Sequence, residues 1–527
     1  MSFIMRWKWA GPAVVVWLLL GWLGSPHVRA QKDKELAGDV YPTPVEPTTA
    51  SKLYYGVAAC QGGSCHDGKP PVSWVDGKQV NVRCDELIRW KKYDKHDNAF
   101  LSLQSPRGKR MGQLLGYDPD PKTWKTCLTC HAVWIGDDKL EKASKEVNFK
   151  VEEGVNCVAC HGHYEEWVPS HSILVTARKF RPLSRSEKWS KYGMIDLKDP
   201  LKRAELCASC HVGNMAQEKF VTHEMYAAGH PPLPSFELAT FSNEMPRHWQ
   251  LLREKSPALQ KEIGLSPGEL EETKLLLIGA AVALRDNMRL LQADAVSNHV
   301  KNGDGLDIAH FDCYACHHDL KADSWRLKRG YDKNRKPGRV GLRPWSVELV
   351  KLAIAADEKT ASTRSAEYEK LVADLNKVFD SRPYGNPTEV AAAAKKLDKF
   401  AHELALSLSS PKRIFKVDDT TRLLKAIPTI YEPATKLYDY DSARQISWAH
   451  EILKKELVRI RIPGEVQEDN SNLVAVDVEL KGINDLLRLR LPRKSTGESL
   501  SSEYQTTLER ISKWDPFRAR SVFASFK

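Results

Sequence analysis

Apolar and polar positions follow different rules in different parts of this chain. Trp9 to Leu23 is an almost unbroken apolar stretch with Arg6 and Lys8 ahead of it and Val28-Arg29-Ala30 behind it. A basic flank, an apolar run shorter than the ~20 residues that span a bilayer, and small residues at a cut site predict a secretory signal peptide over residues 1–30. The alternative is an uncleaved membrane anchor. Cleavage would start the mature chain near Gln31 in an exported, periplasm-like compartment. Residues 31–51 then read as a tether, because Tyr41-Pro42-Thr43-Pro44-Val45-Glu46-Pro47-Thr48-Thr49 is rich in Pro and Thr.

From residue 52 to residue 345 the apolar positions come in short pieces, interrupted by Gly and Pro and rich in aromatics, with little of the alternation of a half-buried strand. One long helix stands out. Ser266-Pro267-Gly268-Glu269 offers an N-cap, a Pro at the first position and an acid at the third, ahead of an apolar face through Leu270, Leu277, Leu284 and Leu291, and the pattern fades near His299. Its apolar run from Leu275 to Leu284 is short for a membrane span and suits a buried helix. Residues 346–527 lack cysteine and turn helical. Asn386-Pro387-Thr388-Glu389 caps a helix to about Leu408, and Ile446, Ala449, Leu453 and Leu457 line one face of another that begins near Asp441. The expected fold is mainly α with little regular sheet: a cofactor-wrapped region over residues 52–345, then a C-terminal helical domain over 346–527. The Ser266 helix is a candidate to pack with that domain.

At 527 residues and 42% hydrophobic, the chain is neither disordered nor small enough for one ordinary core. Its net charge of +11 is spread over residues of both signs without a dominant basic run, so charge alone does not indicate a nucleic-acid partner.

Chemistry enters with the cysteines. Eight of the eleven form Cys-x-x-Cys pairs, each followed at once by His: Cys127/Cys130/His131, Cys157/Cys160/His161, Cys207/Cys210/His211 and Cys313/Cys316/His317. Two thiols a helical turn apart can form thioethers to the two vinyl groups of one haem, and the next imidazole then reaches the iron. Zinc knuckles or disulfides would explain the paired cysteines but not the four histidines. Cys60-Gln61-Gly62-Gly63-Ser64-Cys65-His66 has two extra residues between its thiols, and the Gly pair lets such a loop bulge toward the same attachment; a Cys60–Cys65 disulfide is the alternative. Five covalent haems c would use ten cysteines and leave Cys84 as a buried or incidental thiol. They also change the charge balance. Loss of Arg6, Lys8 and Arg29 leaves a mature chain of +8, and five pairs of propionates bring the total to about −2, so basic residues are needed inside the molecule.

The order of Tyr54-Tyr55-Gly56, Trp90, His96-Asp97-Asn98-Ala99, Gly154-Val155-Asn156-Cys157-Val158-Ala159-Cys160-His161-Gly162 and Leu206-Cys207-Ala208-Ser209-Cys210-His211 resembles the cytochrome c-554 family over residues 52 to about 232. Those are tetrahaem proteins that accept electrons from hydroxylamine oxidoreductase. The longer first motif, a fifth motif and the whole C-terminal domain depart from the family, so its partner does not carry over. Expected partners are redox proteins or a larger respiratory complex, with no nucleic acid and with the membrane touched only through an uncleaved anchor.

The chemistry at each iron depends on its sixth ligand: a second imidazole leaves electron transfer, whereas an open face can bind and reduce small molecules. Beyond the five motif histidines, residues 52–345 contain His96, His163, His171, His223, His230, His248, His299, His310 and His318, more than the five faces need. The resemblance implies His171 as distal ligand of the first haem, His96 of the fourth and His223 of the third, with the His131 haem left five-coordinate. For the fifth haem the local choices are His230 and His310. His163, His248, His299 and His318 read as propionate or structural partners, and the Met residues as core. The expected function is electron relay through closely spaced haems; the rival is an oxidoreductase acting on a small nitrogen or sulfur compound at an open His131 haem.

Overall fold

The computed structural model describes residues 55–461 apart from 62–64, 69–73, 76–77, 80–81, 163–166, 173–176, 178, 263–264, 298–304, 319, 321–335, 337 and 433–435. The signal peptide, the tether, His163, His299 and the end of the chain from residue 462 lie outside the described residues.

The protein is mainly α. Among the described residues the sheet is limited to one short antiparallel hairpin, in which Trp74 pairs with Gln79 and Val75 with Lys78. Residues 55–262 form short helices and 3₁₀ turns, many of them started by a local polar cap. Ser105 accepts from the Gly108 amide at 3.0 Å to open Pro106–Leu114. Asp199 accepts from the Leu201 and Lys202 amides to open Pro200–His211, and each such cap contributes on the order of 1 kcal/mol. Apolar packing in this part is patchy: Phe100, Leu103, Trp124 and Leu128 form one small cluster, and Trp167, Val168 and Phe180 another.

One large apolar cluster dominates the remainder and runs from Ala204 to Leu457, so the chain on both sides of Trp345 contributes to it. Its axis is the helix Glu271–Ala295, of whose 25 residues 22 are buried. The helix is therefore enclosed on all sides rather than along one apolar stripe. The helices Pro387–Ser409 and Tyr440–Arg461 pack along it, and Leu238–Glu244 crosses at Gly279, where an added Cβ would stand 2.6 Å from that of Leu238. Charges inside this core are paired: Arg285 meets Asp286 at 2.8 Å and Glu205 at 2.7 Å, and Arg289 meets Asp398 at 2.9 Å, as burial of charge demands.

The long helix starts later than the Ser266 signature predicts. Gly268 sits at φ +73°, a left-handed conformation that makes 266–269 a turn. The cap instead comes from far along the sequence. Glu456 accepts from the Glu272 and Thr273 amides at 2.8 and 2.7 Å, and the Leu270 amide donates to the Phe415 carbonyl at 2.8 Å. A carboxylate at this end also meets the positive pole of the helix. The helix ends at Ala295 rather than near His299. In the C-terminal part, Asn386 caps Pro387–Ser409, and the last described helix, Tyr440–Arg461, buries Ile446, Ala449, Leu453 and Leu457. No helix among the described residues is long and apolar enough to cross a membrane.

Two outcomes follow for this scaffold. Leu284 is fully buried on the central helix, and Leu284→Ala should cost about 2–5 kcal/mol of stability in denaturant unfolding followed by circular dichroism; a loss below about 0.5 kcal/mol would mean the helix is not the core. Asp439 accepts from the Asp441 and Ser442 amides and the Ser442 hydroxyl, while burial, then Asp441, push its carboxyl from 3.8 up to about 7. The folded state therefore holds a proton that the unfolded state has released, so stability falls as pH rises from about 4 to about 7. Asp439→Asn keeps the cap acceptor and removes that titration. Unfolding curves from pH 4 to 8 should be flatter for the variant.

Candidate haem-binding site

The motif cysteines ride on short helical turns that fix their spacing. Cys127, Cys130 and His131 end the helix Lys125–His131; Cys157 to His161 is itself a helix; Cys207, Cys210 and His211 end Pro200–His211; and Cys313 opens a 3₁₀ turn. Residues three apart on a helix share a face, so the two thiols of each helical motif sit side by side with the histidine one step on. Asn156 starts the third motif by accepting from the Val158 amide at 3.2 Å. Two glycines bring that motif close to its neighbours. Gly154, at φ +69°, would place a Cβ 2.8 Å from the His96 carbonyl, and Gly162, at φ +93°, would place one 2.3 Å from the Gly193 carbonyl. Neither position tolerates a side chain.

No disulfide joins Cys60 to Cys65. Thiols of different motifs lie near each other: Cys60 beside Cys157, and Cys130 beside Cys210. Cys84 is buried at φ +66°, with its carbonyl accepting from the Gly68 amide at 2.6 Å, and belongs to the turn beside the first motif.

Four motif histidines each face a second imidazole. Ring centroids are 6.2 Å apart for His66 and His171, 6.4 Å for His131 and His230, 6.3 Å for His211 and His96, and 6.4 Å for His317 and His223. An imidazole centroid lies about 1.1 Å from Nε2 and a metal–nitrogen bond is about 2.0–2.1 Å, so two rings sharing one metal centre stand about 6.3 Å apart. The residues present therefore fit a haem iron between each pair.

In five of these eight rings the other nitrogen is tethered. His66 Nδ1 lies 3.0 Å from Glu86, His96 Nδ1 2.9 Å from Asp94, His131 Nδ1 2.9 Å from the Ala99 carbonyl, His171 Nδ1 2.8 Å from the Val168 carbonyl and His230 Nδ1 2.7 Å from the Pro231 carbonyl. An acceptor at Nδ1 fixes the proton there and leaves Nε2 with a free lone pair, the usual outer support of a metal-bound histidine. Burial lowers His161, His211 and His230 to about 4 and lowers His131 as well, so these rings are neutral, as ligation requires. At His96 burial acts the same way, but the Asp94 carboxylate outweighs it and the shift is upward; at His66 the Glu86 carboxylate raises the ring.

Several placements differ from the sequence reading. His223, which the resemblance implies for the third haem, faces His317 of the fifth motif. His230, a local choice for the fifth, faces His131, the very ring expected to have an open distal side. His310, the other choice for the fifth, turns its Nε2 to the Asp294 carboxylate at 3.4 Å and has no free nitrogen on that side. His171 and His96 stand opposite His66 and His211. The exchange has a backbone cause. The helix His223–Ala228 ends at Gly229, φ +117°, which reverses the chain and sends His223 and His230 to different motifs. Only the Gly-His-Pro string hinted at that reversal.

Cys316 is a further departure. Equal Cys-x-x-Cys spacing predicts that it shares a helical turn with Cys313, as the second thiol does in the other three short motifs. Instead the 3₁₀ turn Cys313–Ala315 stops one residue short, and Cys316 is its C-terminal cap at φ −115° and ψ −41°. Asp312 caps the turn by accepting from the Tyr314 amide at 3.0 Å, and its own amide donates to the Gly341 carbonyl at 2.8 Å. The motif still closes on itself, since the His317 amide donates to the Cys313 carbonyl at 2.8 Å. Cys313 and Cys316 are both exposed, as is Cys65 of the first motif, whereas the cysteines of the three helical motifs are half-buried. The thiols of the Cys313–Cys316 motif therefore lie at the surface.

Residues 63–162 match the family model described as cytochrome c554 and c-prime, a narrower span than the sequence resemblance covers. No curated protein and no solved structure matches the chain. Residues 63–162 are thus a cytochrome c554-like segment of a multihaem cytochrome c, a kind of protein that carries covalently bound haem c.

Proposed function

We propose that this chain is an exported pentahaem cytochrome c that relays electrons singly between protein partners, with haems held mostly between two imidazoles. The observation that carries this reading is the set of four imidazole pairs at 6.2–6.4 Å, each containing a motif histidine. Haem iron so ligated supplies one-electron exchange between its ferric and ferrous states.

The chain's own residues would do the remaining work. Cys60 with Cys65, Cys127 with Cys130, Cys157 with Cys160, Cys207 with Cys210 and Cys313 with Cys316 would hold the groups, and the five adjacent histidines would ligate them. Acceptors at Nδ1 hold the rings in register, so a change of charge moves few atoms. Glu86 and Asp94 add negative charge at two of the ligands, which favours the oxidised form there, whereas the carbonyl-tethered rings lack that bias. The contacts Cys60–Cys157 and Cys130–Cys210, together with the influence of Cys207 and Cys210 on Cys160, support the order first, third, fourth, second. Tyr226, 6.0 Å from His230 on the helix that carries His223, supports the fifth site following the second. Lys219 lies between the second and fourth motifs, with Nζ 3.4 Å from the Ser209 hydroxyl, where it can pair a propionate.

The rival reading needs an open face at a haem on His131, and the His230 ring opposite His131 at 6.4 Å supports the relay instead. Redox proteins or a larger respiratory complex remain the partners that a relay requires.

Iron analysis with pyridine haemochrome should give five haems c per chain, and reductive titration should take up five electrons; four would remove the Cys60–His66 site, and a colourless exported protein would overturn the reading. The mature N-terminus should lie near Gln31 in the exported fraction, whereas intact cytosolic protein would refute export. His230→Ala should open one further iron to carbon monoxide in the ferrous protein, raising the number bound by one per chain. Binding that the substitution leaves unchanged would show that His230 is no ligand.

A further inference from the structure

Covalent haems bring propionates into the molecule, and buried cations have to meet them. We propose that Lys198, Arg203 and Lys255 form a carboxylate-binding site that holds a haem propionate beside the third motif. The assignment rests on the relay reading and deepens it, because it names charges that help to set one of the potentials.

Three elements bring these cations together. The chain after Gly193 lies on the third motif, where the Ile195 amide donates to the His161 carbonyl at 3.0 Å and the Gly193 carbonyl stands over Gly162. Lys198 follows on that same segment. Arg203, on the helix Pro200–His211, donates from Nε to the Leu197 carbonyl at 2.8 Å, which brings its guanidinium to the peptide ahead of Lys198. Lys255 comes from the loop between the helices Leu238–Glu244 and Pro257–Glu262 and lies near Lys198. Arg185 and Lys188 add further positive charge on this side.

What marks the cluster is positive charge without an anion. Lys255 is only 4% exposed, and its Nζ meets the neutral Gln250 side-chain oxygen at 3.3 Å. Lys198 and Arg203 are half-buried. Among the described residues, none of the three has a carboxylate within ion-pairing distance, because the acids nearby are spent elsewhere. Asp196 gives one oxygen to Arg185 Nε at 3.3 Å and the other to the Lys198 amide at 3.2 Å. Glu254 pairs with Arg247 at 2.5 Å and accepts from the Leu251 amide at 3.0 Å.

Glu271 lies near both Lys255 and Arg203, yet its Oε2 is buried with no hydrogen-bond partner. Buried charges left in this state are costly, and one carboxylate placed among them removes the cost. Burial also pushes the Glu271 carboxyl up to about 7, so in its protonated form it can donate to the same group. Lys255 is sealed from water, which favours a carboxylate already inside the molecule over one arriving from solution.

The test is infrared and potentiometric. Protein carrying haem with isotope-labelled propionate carboxyls is examined by reduced-minus-oxidised infrared difference spectroscopy, and its potentials are titrated, with haem counted by pyridine haemochrome in every sample. Lys255→Met should keep the full haem count, shift one labelled carboxylate band and lower one haem potential, since loss of a positive charge beside a haem disfavours its ferrous form. Lys255→Arg should leave band and potential in place. Lys198→Met, at a half-buried position, gives the same reading should Lys255→Met fail to accumulate. Inorganic phosphate added to the unsubstituted protein should move neither quantity. The assignment falls if every labelled band is unchanged in the methionine variants, or if phosphate shifts a potential of the unsubstituted protein saturably and Lys255→Met abolishes that response, which would make this a site for an anion from solution. With five haems counted, these failures remove only the propionate site; a protein without haem removes the relay itself.

Discussion

A histidine next to a Cys-x-x-Cys pair is tied to its position by two sulfurs, but the imidazole facing it has no such tether and must be delivered by the tertiary fold. Everything distinctive in the first half of this chain serves that delivery. The four facing rings come from roughly a hundred residues away in either direction, and they arrive within 0.2 Å of a common separation. Short capped helices, rather than long ones, suit the task, because each turn can aim one ring and then stop. Carbonyls and carboxylates at Nδ1 complete the aim by fixing which nitrogen points inward.

The scaffold behind these sites solves a different problem. Small apolar clusters in the motif region cannot by themselves repay the conformational entropy of ordering so much irregular chain. The helix Glu271–Ala295, buried on all sides, gives that region a firm wall: Pro200–His211, which ends in the fourth motif, packs directly on it. Paired charges along the same helix, Arg285 with Glu205 and Arg289 with Asp398, fix its rotation relative to both neighbours. A purely apolar interface would allow more sliding.

What the sequence disclosed and what it withheld divide along a physical line. Features set by neighbours a few residues away were legible: the motif spacing, the Asn386-Pro387 cap, and the apolar face of Ile446, Ala449, Leu453 and Leu457. Features set by distant partners were not. Ser266-Pro267-Gly268-Glu269 has the makings of a cap, yet the helix begins later because Glu456 supplies a better-placed carboxylate from nearly two hundred residues on. His171 and His96 face the motifs the resemblance implies, whereas His223, His230 and His310 were misplaced for the same reason, since nothing near them says which motif each will meet. His310 could be set aside only once Asp294 was seen beside it.

The helix His223–Ala228 carries a ring at its start and, one reversal past its end, another ring directed to a different motif. Arg107 grips the Gly229 carbonyl at 2.8 Å, and Asp307 holds the His223 amide at 2.9 Å. This segment is a two-ended strut. Because its ends face the second and fifth motifs, any movement that tilts it shifts both at once, so the two motifs are mechanically geared and neither is free to wander on its own.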